Sequence, residues 1–318
     1  MRAIVVKDRQ MSLAEVPDPE PRAGDLIVQV RAAGVNRADL LQRLGRYPPP
    51  EGESPVLGME IAGVVERSAG EFKQGDRVMA LLAGGGYAEK ARVPAAQAMP
   101  IPARLSFAEA AAIPEAFLTA WLNLFLLGNL QQGDVAVVHA AASGVGTAAL
   151  QLCKGVATVI LATSNPGKHA ACRAFGATHV LAREDVPRQL AQTVHAAAGR
   201  GADVILDLVG GSYFEANLAA LGLHGRLACV STMGGATATT DLNALLVKRL
   251  TVMGSTLRTR SPAQKARLVH DFRTEALPRF DRGELVPVLA ETLPLADAQK
   301  AHDLLQQNAV VGKIVLIP

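Results

Sequence analysis

A chain of 318 residues is long enough for two domains and too long for one of ordinary size. Apolar residues make up 49% of it and charged residues 19%, which supplies a large core and excludes an intrinsically disordered protein. The net charge of +3 comes from 32 basic and 29 acidic residues spread along the chain, and aromatic residues make up only 4%. The composition therefore argues against a nucleic-acid partner, which would need a basic arm or an aromatic stacking surface.

The cysteines indicate a reducing compartment, and the N-terminal residues do not resemble a signal peptide. Cys153, Cys172 and Cys229 have no paired spacing, so neither a disulfide framework nor a zinc cluster is expected. The first residues, MRAIVVKDRQM, reach charge too soon for a signal peptide. Apolar stretches such as VATVILATS are shorter than the ~20 residues that cross a bilayer. We therefore expect a cytoplasmic protein with no membrane partner.

Residues 1–115 predict a β-rich domain, because short β-branched runs alternate with clusters of proline and glycine. These runs are AIVV, LIVQVRAAGV, MEIAGVVERS, DRVMALL and AEKARVP. Residues 39–55 are rich in proline and glycine and predict an irregular surface loop, where functional residues often lie.

Residues 116–256 alternate strands with helices. The predicted strands lie in VAVVHA, VATVILATS, THVLA, ADVILDLVG, RLACVS and LTVMGS. They are continuous apolar runs, which is typical of a parallel sheet covered by helices on both faces. The pattern predicts an α/β domain with a doubly wound parallel sheet.

Residues 257–318 begin with a long amphipathic helix in PAQKARLVHDFRTEAL. A strand in VLAETLPL, a helix in AQKAHDLLQQ and a last strand in GKIVLIP follow. We expect the strands at 288–294 and 313–317 to return to the first domain, which then comprises residues 1–115 and 257–318.

The segment VAVVHAAASGVGTAALQLCK (135–154) combines a strand, a turn of small residues and a helix beginning near Gly144. Backbone N–H groups of such a turn can bind a pyrophosphate at the positive end of the helix. The GxGxxG positions are Ala141, Ser143 and Gly146, so the motif alone is weak, and a packing turn without a ligand is the alternative. The strand before it, the helix after it and the βαβ series downstream favour a dinucleotide site.

The end of the second strand of this domain favours NADP over NAD. An NAD site places an acidic residue about 20 residues after the glycines, whereas no acidic residue occurs here before Glu184. Ser164, Lys168 and Arg183 could bind a 2′-phosphate instead. The alternative for Lys168 is an ordinary solvated lysine of a helix. We therefore expect NADP(H) as the cofactor.

Two further side chains are interpreted as structural. The seven histidines show no metal-like spacing, and His139, at the end of the first strand, is expected in the core or in a supporting position. Tyr213 lies at a predicted helix start and needs no catalytic role.

Eight segments complete the sequence evidence: GVNRADL (34–40), GRYPPP (45–50), VLGMEIAGVV (56–65), GDRVMALL (75–82), AAAIPEAFLTAW (110–121), GDVAVVHAAASGVGTAALQLCK (133–154), DLVGGSYFE (207–215) and NAVVGKIVL (308–316). Together they resemble the zinc-free quinone oxidoreductase (zeta-crystallin-like) branch of the medium-chain dehydrogenase/reductase superfamily, over essentially the whole chain. Within that branch the chain is most similar to the p53-inducible NADPH quinone oxidoreductase type, because NRADLLQRLGRYPPP, IPEAFLTAW and SGVGTAA occur together.

The resemblance implies a Rossmann dinucleotide-binding domain at 116–256 and a GroES-like, mostly β catalytic domain at 1–115 and 257–318. Zinc-dependent relatives supply a cysteine and a histidine at positions similar to Asn36 and Met59, and neither replacement is a useful zinc ligand. Glu60 alone binds no metal and is expected as a buried hydrogen-bonding carboxylate. The resemblance thus implies an enzyme without zinc. It also implies a homodimer, in which an exposed strand such as LTVMGS could join two sheets.

The reaction expected without zinc is NADPH-dependent reduction of an acceptor that is already conjugated, such as a quinone. Tyr47 is the first candidate donor to the acceptor, with a loop tyrosine packed on proline as the alternative. Asn36 and Ser143 are the other candidate catalytic residues. The alternatives at the level of function are an NADPH-dependent enone reductase and a non-catalytic, NADPH-binding regulatory or structural protein.

The expected cofactor contacts combine the turn, the 2′-phosphate group and positions implied by the resemblance. They are Asn36, Thr119, Ala142, Ser143, Gly144, Val145, Gly146, Ser164, Lys168, Arg183, Gly210, Met233, Gly234, Asn308 and Lys313.

Overall fold

The computed structural model describes residues 1–318 and divides them into two units. The first unit contains Met1–Leu118 and Leu257–Pro318, and the second contains Thr119–Thr256.

The strands, in chain order, are β1 (Arg2–Lys7), β2 (Gln10–Glu15), β3 (Asp25–Gly34), β4 (Glu60–Arg67), β5 (Arg77–Leu81), β6 (Lys90–Pro94), β7 (Ala98–Pro100), β8 (Val135–Val138), β9 (Val159–Ser164), β10 (His179–Ala182), β11 (Ala202–Asp207), β12 (Leu221–Cys229), β13 (Thr251–Gly254), β14 (Leu289–Pro294) and β15 (Lys313–Ile317). The α-helices are α1 (Arg37–Arg43), α2 (Phe107–Ala110), α3 (Pro114–Trp121), α4 (Gly144–Cys153), α5 (His169–Ala174), α6 (Val186–Ala198), α7 (Phe214–Ala220), α8 (Leu242–Lys248), α9 (Pro262–Glu275), α10 (Leu277–Asp281) and α11 (Ala298–Gln306). A π-helical stretch covers Leu122–Leu127, and short 3₁₀ turns cover Ala95–Gln97, Pro166–Lys168, Gly211–Tyr213 and Leu295–Asp297.

The first unit contains a seven-stranded sheet in which β14, β15, β3, β4, β5 and β7 follow one another and β6 also pairs with β3. β15 runs antiparallel to β3, with Val315 opposite Gly34, and β14 runs parallel to β15. The prediction that the last two strands return to the first domain is thereby confirmed. Leu26 and Val28 of β3, Ile61 of β4 and Leu316 of β15 are fully buried, so the C-terminal strand shares one core with the N-terminal strands.

The predicted irregular loop over residues 39–55 was wrong at its start, because α1 occupies Arg37–Arg43. Asp39 accepts a hydrogen bond from the backbone N–H of Asn36 at 2.8 Å, which satisfies a donor at the start of the helix. Gly45, with φ of 72°, lies just beyond the helix. Residues 44–55 contain no further helix or strand.

The second unit contains a six-stranded parallel sheet in the order β10, β9, β8, β11, β12, β13. Counted along the chain, this order is 3-2-1-4-5-6, and helices connect the successive strands. All four residues of β8 are buried, as expected for a strand covered on both faces. The predicted doubly wound α/β domain is confirmed. In sheets of this order, ligands bind beyond the carboxyl ends of the strands where the order reverses, here between β8 and β11.

One helical stretch, Phe107–Leu127, has the length and the apolar composition of a membrane span, with a mean hydropathy of 1.5. It is longer than the apolar runs, such as VATVILATS, on which the expectation of no membrane span was based. Within the protein, 78% of its most apolar window is buried, and a core helix meets the same criterion. The stretch is therefore weak evidence for a membrane span.

Candidate active site

A buried ammonium group forms the centre of a polar cluster in the first unit. Nζ of Lys313 donates to the carbonyl oxygen of Val35 at 2.7 Å and to Oδ1 of Asn36 at 2.5 Å, and it lies 2.6 Å from Oε1 of Glu60. The side chains of Lys313 and Glu60 are 6% and 0% exposed. Three acceptors match the three donors of the ammonium, which is the condition under which burial of an ion pair is tolerated.

The cluster results from strand pairing between distant parts of the chain. Lys313 begins β15, Glu60 begins β4, and both strands flank the end of β3. A Cβ atom on Gly34 would lie 2.3 Å from Oε1 of Glu60, so only glycine at this position leaves room for the carboxylate. The other carboxylate oxygen of Glu60 accepts the backbone N–H of Glu115 at 2.8 Å.

The amide of Asn36 is held at both ends by this cluster. Its Nδ2 donates to Oε1 of Glu60 at 2.9 Å, while its Oδ1 accepts from Lys313. Asn36 and Lys313, both predicted as cofactor contacts, are thus brought together, but their main hydrogen bonds are made to each other and to Glu60. Contact of the Lys313 ammonium with a cofactor would require one of its three bonds to be exchanged.

A second buried network holds the start of α1. The carboxylate of Asp39 accepts hydrogen bonds from the N–H of Asn36, from the N–H of Gly58 at 3.3 Å and from the hydroxyl of Tyr87 at 3.0 Å. Burial raises the pKa of Asp39 to about 6, against the effect of its hydrogen bonds to Asn36 and Tyr87. The Tyr87 hydroxyl also lies 3.3 Å from Nε2 of His302, whose pKa is lowered by burial to about 3, so the imidazole is neutral.

Tyr47 is anchored by an arginine that the sequence analysis missed. Arg258 is 2% exposed and donates to the carbonyl oxygens of Ala83 at 2.7 Å and Tyr47 at 3.1 Å, and to Oε1 of Gln42 at 2.7 Å. Its guanidinium carbon lies 5.3 Å from the centroid of the Tyr47 ring. Arg258 lies in the segment LRTR, where no sequence pattern could have identified it as a site residue.

The phenol of Tyr47 is available as a donor. Its hydroxyl makes no hydrogen bond, whereas its carbonyl oxygen and its ring are engaged by Arg258. Burial raises the pKa of Tyr47, the ionised form of Glu115 raises it further, and Arg258 opposes both. The phenol is therefore protonated at neutral pH and can donate a hydrogen bond rather than accept a proton.

Glu115 is a second residue of this unit that the sequence analysis missed, although it lies in the quoted segment AAAIPEAFLTAW. Its Oε2 is buried and has no hydrogen-bond partner. Burial, and then the negative charge of Glu60, raise the pKa of Glu115 to about 8. The side chain is consequently a neutral carboxylic acid at pH 7.

The turn after β8 in the second unit has the form of an anion site. The hydroxyl oxygen of Ser143 accepts the N–H of Gly146 at 3.0 Å and caps α4. A Cβ atom on Gly146 would lie 2.5 Å from the carbonyl oxygen of Ala140, so glycine is required there. Ser143, Gly144 and Val145 are partly exposed. The first-turn N–H groups of α4 have no partner inside the helix and lie at its positive end.

The residues predicted for the 2′-phosphate are brought together at the carboxyl ends of β9 and β10. The N–H of Arg183 donates to the carbonyl oxygen of Ser164 at 2.9 Å. Burial lowers the pKa of Lys168, and the like charge of Arg183 lowers it further. Two cationic side chains and a serine hydroxyl match the chemistry of a phosphate.

The predicted contacts after the later strands of the second unit lie in two adjoining loops. Gly210, with φ of 91°, donates its N–H to Asp207 at 2.9 Å, and the N–H of Gly234 donates to the carbonyl oxygen of the neighbouring Val209 at 2.7 Å. Met233 beside Gly234 is 55% exposed. These residues, like the turn, lie beyond the carboxyl ends of strands.

Thr119 and Asn308, the last two predicted contacts, belong to different units. Thr119 is buried in the second unit, and its carbonyl oxygen accepts the amide of Asn123 at 2.8 Å. Asn308 lies in the first unit and accepts a hydrogen bond from Nη2 of Arg37 at 2.6 Å.

Comparison with known proteins identifies relatives of both units. Residues 22–103 match the alcohol dehydrogenase GroES-like domain family, and residues 144–276 match the zinc-binding dehydrogenase family. The predicted combination of a GroES-like and a Rossmann domain is thereby confirmed. The chain is 32% identical to the synaptic vesicle membrane protein VAT-1 homolog of Mus musculus, over 98% of this chain and 80% of that protein.

Two solved structures are similar over their whole lengths. The quinone oxidoreductase from Thermus thermophilus, which was also solved in complex with NADPH, is 34% identical, with a TM-score of 0.85 and full coverage of both chains. A mycobacterial protein complexed with NADPH is 27% identical, with a TM-score of 0.90 and full coverage of both chains.

A zinc ion does not fit the residues of this chain, although one of the matching families is named for zinc. The Asn36 amide is bonded at both ends, Met59 is a buried thioether, and Glu60 is paired with the Lys313 ammonium. No group of three or more His, Cys, Asp or Glu side chains in residues 1–318 is arranged to hold a metal ion. The Lys313 ammonium already lies beside the Glu60 carboxylate, which a metal ion would need as a ligand.

Proposed function

This chain belongs to the medium-chain dehydrogenase/reductase superfamily, and we propose that it uses NADPH to reduce quinones or similar conjugated electrophiles without zinc. The observation that carries the proposal is the Lys313 ammonium bonded to Asn36 and Glu60. The oxygen atoms of Asn36 and Glu60 already bind the Lys313 ammonium and are not free to hold a metal ion. No Lewis acid therefore polarises an isolated carbonyl or alcohol there. The acceptor must then be activated by its own conjugation, as a quinone is.

NADP(H) is the cofactor of this proposal, and the second unit offers the groups to bind it. The positive end of α4 takes the pyrophosphate at the point where the strand order reverses. Ser164, Lys168 and Arg183 take the 2′-phosphate, and no acidic residue occurs between the turn and Glu184. Two structures of similar proteins hold NADPH, which supports the same choice.

The bound cofactor supplies a hydride. Reduction of a quinone by a hydride leaves negative charge on an oxygen, and a positioned O–H donor stabilises that charge. The Tyr47 phenol is protonated and has no hydrogen-bond partner, so it serves as this donor. Arg258 holds the Tyr47 backbone and ring in place and so limits the number of positions that the hydroxyl can take. One proton from solvent or a side chain completes the hydroquinone.

NADPH oxidation by the purified chain, followed with a matched panel of quinones and enones, tests the proposal. We expect turnover with quinones that persists after dialysis against a zinc chelator. Turnover of enones alone would instead assign an enone reductase. NADPH binding without reduction of any acceptor would assign a non-catalytic NADPH-binding protein.

A homodimer is part of the same proposal. β13 is a free edge of the six-stranded sheet, and its Val252 is 40% exposed. On the neighbouring α8, Leu242, Leu246 and Val247 are 65%, 75% and 67% exposed. A free strand edge beside an apolar helix favours pairing with a second copy. Sedimentation at micromolar concentration should give a dimer, and a monomer would remove this part of the proposal.

A further inference from the structure

We infer that His139 is a positioning residue that joins the separate segments of the second unit that hold NADP(H). The inference rests on the cofactor binding in the proposed function, and it assigns a role to a histidine expected from the sequence only in the core or in a supporting position. His139 follows β8 directly and is fully buried. One ring nitrogen bonds the end of β9, and the other connects through Asn217 and Asp207 to the loop after β11; both places are predicted to border the cofactor.

The two ring nitrogens have different partners. Nδ1 of His139 lies 2.9 Å from Oγ1 of Thr163 at the end of β9, and Nε2 lies 2.7 Å from Oδ1 of Asn217 on α7. Nδ2 of Asn217 donates in turn to Oδ2 of Asp207 at the end of β11, at 3.1 Å. The side chains of His139, Asn217 and Asp207 are 0% exposed and that of Thr163 is 1% exposed, so water competes for none of these bonds.

The direction of the hydrogen bonds follows from the carboxylate at one end. The Asp207 carboxylate accepts the amide N–H of Asn217, which turns the amide oxygen of Asn217 toward the histidine. Nε2 of His139 must therefore carry the proton, and Nδ1 must accept the hydroxyl of Thr163. Burial lowers the pKa of His139, in agreement with this single neutral tautomer.

Each arm of the network ends at a segment predicted to hold the cofactor. The Thr163 arm lies next to Ser164 of the 2′-phosphate group, and the carbonyl oxygen of Thr163 also accepts the N–H of Ala141 in the phosphate-binding turn at 3.0 Å. The Asp207 arm ends at the loop after β11, where Oδ1 accepts the N–H groups of Val209 and Gly210 at 2.7 and 2.9 Å.

The backbone of His139 and the ring of Tyr213 add two more connections. Ala140, directly after His139, has φ of 47°, which a residue with a side chain adopts only when its surroundings hold it there. The Tyr213 ring packs edge-to-face on His139, with centroids 4.9 Å apart, and its hydroxyl donates to the carbonyl oxygen of Arg183 at 2.7 Å. The phosphate-binding turn, the 2′-phosphate group and the loop at Gly210 are thus all connected to the imidazole of His139.

Two substitutions separate the arms. In His139→Gln the amide nitrogen can take the place of Nε2 and keep the bond to Asn217, while the acceptor for Thr163 is lost. In His139→Asn the shorter amide can keep the bond to Thr163 and loses the one to Asn217. Fluorescence titration with NADPH and with NADH then reports on each arm, because only NADPH uses the 2′-phosphate group.

We expect His139→Gln to lower the ratio of NADPH to NADH affinity about fivefold, the loss of one hydrogen bond. We expect His139→Asn to weaken both cofactors by a similar factor and to leave the ratio unchanged. The control is Val194→Ala, which removes buried volume in the last turns of α6 and none of the hydrogen bonds of the network. It should lower the melting temperature and leave the ratio unchanged.

Three outcomes overturn the inference. The first is that both His139 variants keep the wild-type affinities and the wild-type ratio of NADPH to NADH affinity. The second is that both variants change this ratio equally. The third is that Val194→Ala lowers the ratio as well. If the variants do not fold, ¹⁵N NMR of the wild-type chain replaces them. The His139 resonances should then report a neutral ring protonated at Nε2, and an imidazolium or the Nδ1 tautomer would contradict the network. Failure of the wild-type chain to bind NADPH would instead refute the proposed function, and the NMR result would stand independently.

Discussion

Nζ of Lys313 lies 2.6 Å from Oε1 of Glu60, and both side chains are buried. The two residues begin β15 and β4, which stand on either side of β3 in the sheet. In a member of a superfamily that includes zinc enzymes, this pair places an ammonium beside the carboxylate and the Asn36 amide. The stability of the first unit and the zinc-free reaction that we propose therefore depend on the same contact.

Lys313→Met should lower the free energy of unfolding by about 3–5 kcal/mol, because it leaves the Glu60 carboxylate buried without a counter-charge. Denaturant titration measures the change. Lys300→Met is the matched control, since Lys300 pairs with Glu291 at 3.4 Å but their side chains are 58% and 37% exposed. That control should change stability by less than about 1 kcal/mol.

The double variant Lys313→Met with Glu60→Gln should recover part of the stability lost in Lys313→Met, because it removes the unpaired charge as well. Equal stability of Lys313→Met and the wild-type chain would contradict the assignment of a buried ion pair.

Tyr47→Phe should lower kcat for quinone reduction about 100-fold and leave NADPH affinity unchanged, because it removes only the O–H donor. The ring stays in place against Arg258. Steady-state kinetics and NADPH titration separate the two effects.

Tyr87→Phe is the matched control for Tyr47→Phe. It removes the hydroxyl that donates to the buried carboxylate of Asp39, so it should lower the melting temperature. Unchanged kcat in Tyr47→Phe would exclude this phenol as the donor.

Lys168→Ala should weaken NADPH binding about tenfold and leave NADH binding unchanged, because a charge-assisted bond to the 2′-phosphate is lost. Arg173→Ala, which removes an exposed positive charge from α5, is the control for the change in net charge. Isothermal titration with both cofactors gives the ratio. An equal loss for NADPH and NADH would argue against a specific 2′-phosphate contact.

The buried acid Glu115 gives the protein a defined pH dependence. Its ordinary pKa is 4.5, and burial raises the pKa in the folded chain to about 8. Between these values the folded state keeps a proton that the unfolded chain has released, so stability falls as the pH rises through this window.

Glu115→Gln removes that titration. The melting temperature of the wild-type chain should fall relative to that of Glu115→Gln between about pH 5 and about pH 8. Glu275→Gln, at an exposed position of α9, should follow the wild-type chain. A constant difference between wild type and Glu115→Gln across the range would show that Glu115 is ionised throughout.

The sequence by itself determined the features that depend on neighbouring residues. Continuous apolar strands alternating with helices predicted the doubly wound sheet, because burial on both faces leaves a local pattern in each strand. The turn of small residues predicted a helix start near Gly144, since such a turn is itself a local signal, and the structure adds that Ser143 caps this helix. The prediction of NADP(H) depended on the absence of an acidic residue before Glu184, which is also a local feature, because it concerns the end of one strand.

Only the tertiary structure decided which distant side chains meet. Residues 39–55 contain mostly turn-forming residues, yet α1 begins at Arg37, stabilised in part because Tyr87 and Gly58 bond the Asp39 carboxylate from elsewhere in the fold. The pair of Lys313 and Glu60 and the anchoring of Tyr47 by Arg258 depend on strand order and register. A hydrogen bond between residues far apart in the chain requires both to be placed within about 3 Å, and folding of the whole unit places them, so no local pattern records it.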